Sequence, residues 1–320
     1  MAGKSSGRNR LYIETPIAES KSLNSKLARR VFMKMECYQP SGSFKIRGIS
    51  HLMSVRHDEG SSHFVCSSGG NAGLAVAYCG AILRVAVTVV VPKTTSLHVR
   101  RILAEYGAEV IVSGEVWNEA DAVARDLSTQ KNAAYVSPFD DRLLWQGHST
   151  LIDEAAVQCD RPDAVVVSVG GGGLLCGVLT GMHRNGWTDV PVIAVETQGS
   201  ASFAAAMKAG HPVQLDAITS VAKSLGALQI ADEALAWTKH HEIHSVVLSD
   251  CDAIRGCIQL ADEFRVLVEP ACGVSRAAVE SNLVSGSHYR NVLAVICGGS
   301  AVNLGSFLEW KLCLNREDRN

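Results

Sequence analysis

Four consecutive glycines, Gly170, Gly171, Gly172 and Gly173, stand between the apolar runs 164–169 and 174–179. A β-rich run, a glycine loop and a helix-compatible run predict strand, tight turn and helix. Glycine has no Cβ, so its backbone can come close to a ligand. The N–H groups at the helix start, reinforced by the helix dipole, then favour an anion such as a phosphate. A flexible linker is the competing reading, but a linker belongs between polar segments, and this loop lies between core-like ones. It is neither a Walker loop, which needs a trailing Lys-Ser/Thr, nor a dinucleotide fingerprint, which needs an acidic residue at fixed spacing.

Other groups point the same way. Ser67-Ser68-Gly69-Gly70-Asn71 follows the strand-like run His63-Phe64-Val65-Cys66 and can present backbone N–H groups to a carboxylate. Pro40-Ser41-Gly42 makes a turn, and Ser43 is expected to cap a helix over 44–53. Lys45 then lies in the first helical turn, where the dipole opposes positive charge and helps an amine lose its proton. A neutral amine is a nucleophile and a base. Taken alone, Lys45 reads more simply as a solvated surface lysine. Glu196 ends the run 191–195, where an ordinary strand-end carboxylate is an equal reading, and Cys297 follows 291–296. All these groups follow a predicted strand closely, and open α/β sheets bind ligands outside the carboxyl ends of their strands.

The elements that must position them alternate. Strands are predicted at 31–35, 63–66, 85–91, 109–112, 134–136, 164–169, 191–195 and 291–296. Helices are predicted at 44–53, 72–83, 95–106, 115–128, 143–157, 201–209, 228–239, 251–264, 270–284 and 301–310, with a further helix after the four glycines. Residues 1–30 read as a polar tail and an approach segment. The rhythm predicts an α/β chain with an open parallel sheet in each of two parts.

Bulk properties narrow the function. The chain has 320 residues, 47% hydrophobic and 19% charged, enough for a large core and two domains. A net charge of −2 gives no electrostatic case for nucleic acid or anionic membrane as partner. No apolar run reaches the roughly 20 residues of a membrane span. The segment Met1–Arg10 has no apolar run behind it and does not read as a secretory signal; a transit peptide is the alternative, with little support from so short a segment. The 10 cysteines form no Cys-x-x-Cys pair and mostly sit in apolar runs, as reduced thiols of a cytoplasmic protein would.

These residues, in this order, resemble the fold-type II pyridoxal-phosphate enzymes, with the tryptophan synthase β-like fold of two open twisted sheets flanked by helices. The closest likeness is to the serine dehydratase and serine dehydratase-like family. The stretches that carry it are 40–45, 67–73, 138–141, 170–174, 219–226, 268–273 and 297–299. The resemblance implies a small domain at 39–141 and a large cofactor-binding domain formed by 1–38 and 142–320. It implies that Lys45 joins the cofactor aldehyde and acts as catalytic base, and that Phe44 packs on the ring. Asn71 meets the phenolic oxygen, Gly170, Gly171, Gly172, Gly173 and Leu174 hold the phosphate, and Cys297 meets the ring nitrogen. Ser68, Gly69, Gly70 and Asn71 would hold the carboxylate of a small amino-acid substrate. A monovalent cation, potassium by expectation, would sit at Gly170, Glu196, Ser200, Leu225 and Ala227.

The implied reaction is loss of water from L-serine or L-threonine, giving pyruvate or 2-oxobutyrate and ammonia, in a cytoplasmic homodimer. Another β-eliminating enzyme of this fold, or a degenerate paralogue that binds cofactor in a regulatory role, are the alternatives. Two departures stand out. Gly69 replaces the Ala of more active dehydratases and the Ser of racemases, which disfavours racemisation and suggests that an alanine there would raise turnover. The stretch 81–86 lacks the usual helix-ending Gly-x-Pro turn. No regulatory domain is expected after Asn320.

Overall fold

A computed structural model describes residues 10–317 of the chain. Its strands are β1 (Ile17–Glu19), β2 (Arg30–Met35), β3 (His63–Cys66), β4 (Ala86–Val91), β5 (Glu109–Val112), β6 (Ala134–Tyr135), β7 (Ala164–Ser168), β8 (Val192–Thr197), β9 (Ile243–Leu248) and β10 (Asn291–Ile296). The helices are α1 (Lys21–Leu27), α2 (Lys45–Asp58), α3 (Asn71–Leu83), α4 (Leu97–Glu105), α5 (Trp117–Gln130), α6 (Arg142–Gln158) and α7 (Gly173–Arg184). They continue with α8 (Ser202–Ala209), α9 (Asp232–Ala236), α10 (Asp250–Phe264), α11 (Pro270–Val279), α12 (Asn282–Ser285) and α13 (Leu304–Glu317).

The strands form two sheets, a six-stranded one in the order β1-β2-β10-β7-β8-β9 and a four-stranded one in the order β5-β4-β3-β6. Strands buried on both faces read as continuous apolar runs. In β7 every residue, Ala164-Val165-Val166-Val167-Ser168, is buried. Register does the positioning. Val166 pairs with Ile193 of β8 and with Ala294 of β10. The carboxyl ends of these strands therefore finish level, which brings the glycine loop, Glu196 and Cys297 to one edge of the sheet.

Several expectations need correction. The larger sheet is not wholly parallel, because β1 runs antiparallel to β2. The approach segment holds β1 and α1, and the region after α9 holds β9; none of these was predicted. In β9 the side chains are mostly half-buried, so the run Ile243-His244-Ser245 lacks the apolar signature of a central strand. Ser43 does not cap α2. Its backbone bridges to Gly298, and its hydroxyl is buried with no partner. The segment 270–284 is two helices, and 228–239 is helical only from Asp232, with a 3₁₀ turn at its end. Helix α3 ends without Gly-x-Pro: Arg84 takes the left-handed conformation itself, at φ 57°. Among the described residues no helix is long and apolar enough to cross a membrane.

A buried ion network ties α2 into the larger sheet. Arg47 and Glu36 are 0% exposed, as is Lys34, and Glu154 is 8% exposed. Arg47 Nε donates to Glu36 at 2.7 Å and its Nη2 to Glu154 at 2.6 Å, while Lys34 Nζ donates to Glu154 at 2.7 Å. The residues come from β2, the turn after it, α2 and α6. Burial opposes charge on Glu154, but the Arg47 guanidinium and Lys34 overcome it and hold the carboxyl below its ordinary value. Removing one member leaves its partners charged and unpaired in a dry interior. Arg47→Met is expected to lower unfolding stability by about 3–5 kcal/mol in a urea titration. A loss under about 1 kcal/mol would show that water reaches the network.

Candidate active site

The site is built where α2 begins. Phe44 N–H donates to the Cys297 carbonyl at 3.0 Å, and Gly299 N–H donates to the Gly42 carbonyl at 2.8 Å. These bonds lay the segment 42–44 along 297–299, just past the end of β10. Gly298 and Gly299 have φ of 84° and 142°, and a side chain at Gly298 would strike the Gly42 carbonyl. Only glycine suits that turn.

Lys45 is the first residue of α2. Its Nζ donates to the Pro138 carbonyl and lies 5.2 Å from the centre of the Phe44 ring. Burial pulls the amine down to about 8, with the neighbouring Cys297 acting the other way. Beneath it, His148 meets the Phe44 ring edge-on at 4.9 Å. His148 Nδ1 accepts the Gly48 N–H at 3.2 Å, an N–H that the helix start leaves orphaned. Burial, with Lys45 and Arg47 nearby, holds this imidazole well below its ordinary value, so it is neutral.

The glycine loop faces Lys45 across a cleft. Gly172 caps α7 at φ 91°, and among the described residues the N–H groups of Gly171, Gly172, Gly173 and Leu174 have no acceptor. A Cβ on Gly171 would lie 2.4 Å from the Phe139 ring, and one on Gly173 would lie 2.4 Å from the Phe139 carbonyl oxygen. Trp145 Nε1 fixes that carbonyl by donating to it at 2.8 Å. The loop is thus a cradle of unpaired donors that side chains would fill, and it fits a phosphate.

Phe44, Lys45, Asn71, Gly170, Gly171, Gly172, Gly173, Leu174 and Cys297 all line this one cleft. Phe139, Ser168, Ser224 and Ala271 line it too. The sequence had given none of these four a role. Phe139 lies within a stretch that carried the family resemblance, which was the available signal. Nothing local singled out Ser168 or His148.

Ser68, Gly69 and Gly70 adjoin the cleft through Asn71, the first residue of α3. The N–H groups of Asn71, Ala72 and Gly73 have no acceptor among the described residues, so this helix start can also receive an anion. The Asn71 amide is braced: Nδ2 donates to both Glu269 oxygens at 3.1 Å, and Oδ1 accepts from Ser300 N–H at 3.0 Å. A Cβ on Gly69 would fall 2.5 Å from Thr95 Oγ1. The gain expected from an alanine at 69 therefore requires Thr95 to move.

Among the residues expected to hold a cation, Leu225 backs directly on Gly170, with a Cβ at 170 falling 3.0 Å from Leu225 Cα. Ala227 N–H donates to the Leu225 carbonyl at 2.8 Å. Glu196 lies on β8, and its two oxygens accept Phe203 and Ala204 N–H groups at 2.8 Å, capping α8. Ser200 Oγ is 2.7 Å from Thr197 Oγ1. Burial pushes the Glu196 carboxyl up to about 7 despite its two N–H partners. Among the described residues no cluster of three or more His, Cys, Asp or Glu side chains could hold a metal ion.

Comparison with known proteins agrees with this geometry. The family model described as pyridoxal-phosphate dependent enzyme matches residues 9–298. A Bos taurus protein named L-serine dehydratase/L-threonine deaminase is 44% identical over 312 residues, covering 94% of this chain and 95% of its own. A Homo sapiens protein named serine dehydratase-like is 45% identical over 301 residues, covering 91% and 92%. The crystal structure of a fungal L-serine ammonia-lyase from Rhizomucor miehei superposes with a TM-score of 0.88 at 35% identity, covering 94% of this chain and 98% of its own. The chain belongs to the pyridoxal-phosphate dependent enzymes, and its fold is that of fold-type II.

The cradle can be tested on the cofactor. Gly173→Ala sets a methyl group against a backbone carbonyl that cannot rotate away. It is expected to weaken pyridoxal phosphate binding by on the order of 100-fold, about 2.7 kcal/mol, in a fluorescence titration of the apoprotein. Unchanged affinity would move the phosphate away from this loop.

Proposed function

We propose that this protein eliminates water from L-serine and L-threonine, releasing pyruvate or 2-oxobutyrate and ammonia. The observation that carries the reading is an amine lowered to about 8, Lys45, facing an unpaired N–H cradle across one cleft. The relatives named above support the choice of substrates. When bound, the pyridoxal ring supplies the electron sink that acidifies the substrate Cα.

The chain's own residues do the rest. The N–H groups of the glycine loop and the positive end of α7 hold the cofactor phosphate. Phe44 would pack on the ring, and the Asn71 amide, braced by Glu269 and Ser300, would supply a donor to its phenolic oxygen. The start of α3, with Ser68, Gly69 and Gly70, receives the substrate carboxylate. Lys45 Nζ, whose lowered pKa leaves a share of it neutral near physiological pH, would join the cofactor aldehyde and, once released, take the Cα proton. Gly69 offers no acid or base on the opposite face, which favours elimination over racemisation. Cys297 would meet the ring nitrogen as a weak thiol partner.

A monovalent cation, potassium, completes the site in this reading. It would sit at Gly170, Glu196, Ser200, Leu225 and Ala227, held largely by carbonyls. The buried, proton-hungry Glu196 is the observation that supports a positive charge there. The chain would work as a cytoplasmic homodimer, with residues 39–141 as a small domain that carries Lys45 and the carboxylate loop against the larger domain.

Coupled assays of pyruvate and 2-oxobutyrate test the reaction. Lys45→Ala is expected to lower kcat by on the order of 1000-fold or more with the melting temperature unchanged. In the wild type, kcat should fall as pH drops below about 8, because protonation removes the base. Retained turnover in Lys45→Ala would remove Lys45 from the mechanism.

Replacing potassium by a bulky organic cation should lower activity and melting temperature together, because an ion bound only by the folded state stabilises it by mass action. Indifference of both readouts to the replacement would remove the cation.

A further inference from the structure

Cys297 Sγ stands where β7 and β10 end; Ser168, Cys272 and Gly298 are within hydrogen-bonding reach of it, and Lys45, Cys37 and Cys257 lie close enough to interact with its charge. Ser168, the last residue of β7, is 3% exposed, and its hydroxyl donates to Cys297 Sγ at 3.7 Å. Among the described residues this is the Ser168 hydroxyl's partner. Cys272, at the start of α11, brings its sulfur within 3.3 Å of Cys297 Sγ. Gly298 holds Cys272 from both sides: its N–H donates to Cys272 Sγ at 3.0 Å, and its carbonyl accepts the Cys272 thiol at 3.1 Å.

A thiol carries one proton. The Cys272 proton goes to the Gly298 carbonyl, since oxygen accepts better than sulfur. The Cys272 sulfur is already engaged by Gly298 N–H, which makes it a poor acceptor for a second thiol. The Cys297 thiol also reaches the Gly298 carbonyl, but as a long contact of 3.8 Å to an oxygen that already accepts the Cys272 thiol at 3.1 Å. The Cys297 sulfur meanwhile receives the Ser168 hydroxyl. A sulfur that accepts a hydrogen bond holds its own proton less tightly and donates it more strongly. An acceptor in the cleft, which both Ser168 and Cys297 line, can offer that proton a shorter bond than Gly298 does.

We propose that Ser168 is a positioning residue for Cys297, acting through the sulfur to aim and strengthen its S–H toward the ring nitrogen of the bound cofactor. The proposal rests on the cofactor placement given above. The proton stays on sulfur and no bond breaks. Ser168 and Cys272 together make an otherwise weak thiol a directed donor, and the ring nitrogen remains an uncharged acceptor. Ser168 touches no substrate in this arrangement. Its influence is electrostatic and passes through one atom.

The test has an arm without cofactor and an arm with it. In the apoprotein, alkylation of Cys297 by iodoacetamide is followed against pH, with mass spectrometry resolving the modified cysteine. Ser168→Ala removes the donor that stabilises the thiolate, so the rate at pH 8 should fall about three- to tenfold and the profile should move to higher pH. Ser168→Thr keeps the hydroxyl and should track the wild type. In the loaded protein, Ser168→Ala should raise the pH midpoint of the visible absorbance, and Ser168→Thr should not.

Coincident alkylation profiles for wild type and Ser168→Ala would overturn the proposal. So would Ser168→Thr behaving like Ser168→Ala, since packing would then be the cause. A shifted alkylation profile with an unmoved absorbance midpoint would also overturn it, because the effect would stop at the sulfur. If the wild type gives no visible band with pyridoxal phosphate, the functional reading fails instead, and the alkylation arm still decides whether Ser168 controls Cys297.

Discussion

Two backbone hydrogen bonds, Phe44 to Cys297 and Gly299 to Gly42, hold the site together. They join the end of β10, in the six-stranded sheet, to the start of α2, which packs with α3 over the four-stranded one. Without that seam Lys45 would be a helix-start lysine facing solvent. With it, Lys45 closes a cleft whose far wall is the glycine loop. The turn needs a backbone without side chains at Gly298, where a Cβ would meet the Gly42 carbonyl at 2.3 Å. The buried ions behind the seam serve the same end. Arg47, two residues after Lys45, reaches Glu36 and Glu154 and so fixes the first turn of α2 against β2 and α6. Such a network is no stronger than a well-packed apolar one. Its geometry is stricter, and it places Lys45 closely.

Burial then decides the chemistry of each group. It lowers Lys45 to about 8, raises Glu196 to about 7 and keeps His148 neutral. These shifts have opposite signs for acids and bases because a dry site disfavours every isolated charge. A lysine made partly neutral can act as a base, whereas a carboxylate raised in this way holds its proton more readily. The same dry surroundings strengthen the N–H groups at the starts of α7 and α3, which supply positive potential without a titratable side chain.

Shape complements charge. Phe139 occupies the space that side chains at Gly171 and Gly173 would need, so the cradle is narrow and its amides point one way. Thr95 does the same for Gly69 on the other side of the cleft. The glycines at 171, 173 and 69 are thus set by their neighbours as much as by the ligand. Replacing one of them is a change in two residues' packing, which explains why the effect of a single methyl at 69 depends on Thr95.

The sequence by itself determined the units in which local order is enough. The run 164–169 followed by four glycines read as a buried strand turning into a helix because core-like segments flank it, and His63–Cys66 before the Ser-Gly loop is the same unit again. Those signals lie within a few residues of each other, where apolar runs and glycine conformations act directly. They located Lys45, Asn71, Gly170–Gly173 and Cys297 at strand or helix ends, and the structure brings them to one cleft. The sequence misread Ser43 as a helix cap and missed the antiparallel β1 and the half-buried β9, because a long-range partner overrode or hid the local preference. Tertiary structure alone decided the pairings across the chain: Phe139 against Gly171, His148 beneath Phe44, and Ser168 on Cys297, which are 129 residues apart. A serine in a strand carries no local mark of the sulfur it will meet, since that contact exists only once β7 and β10 lie side by side.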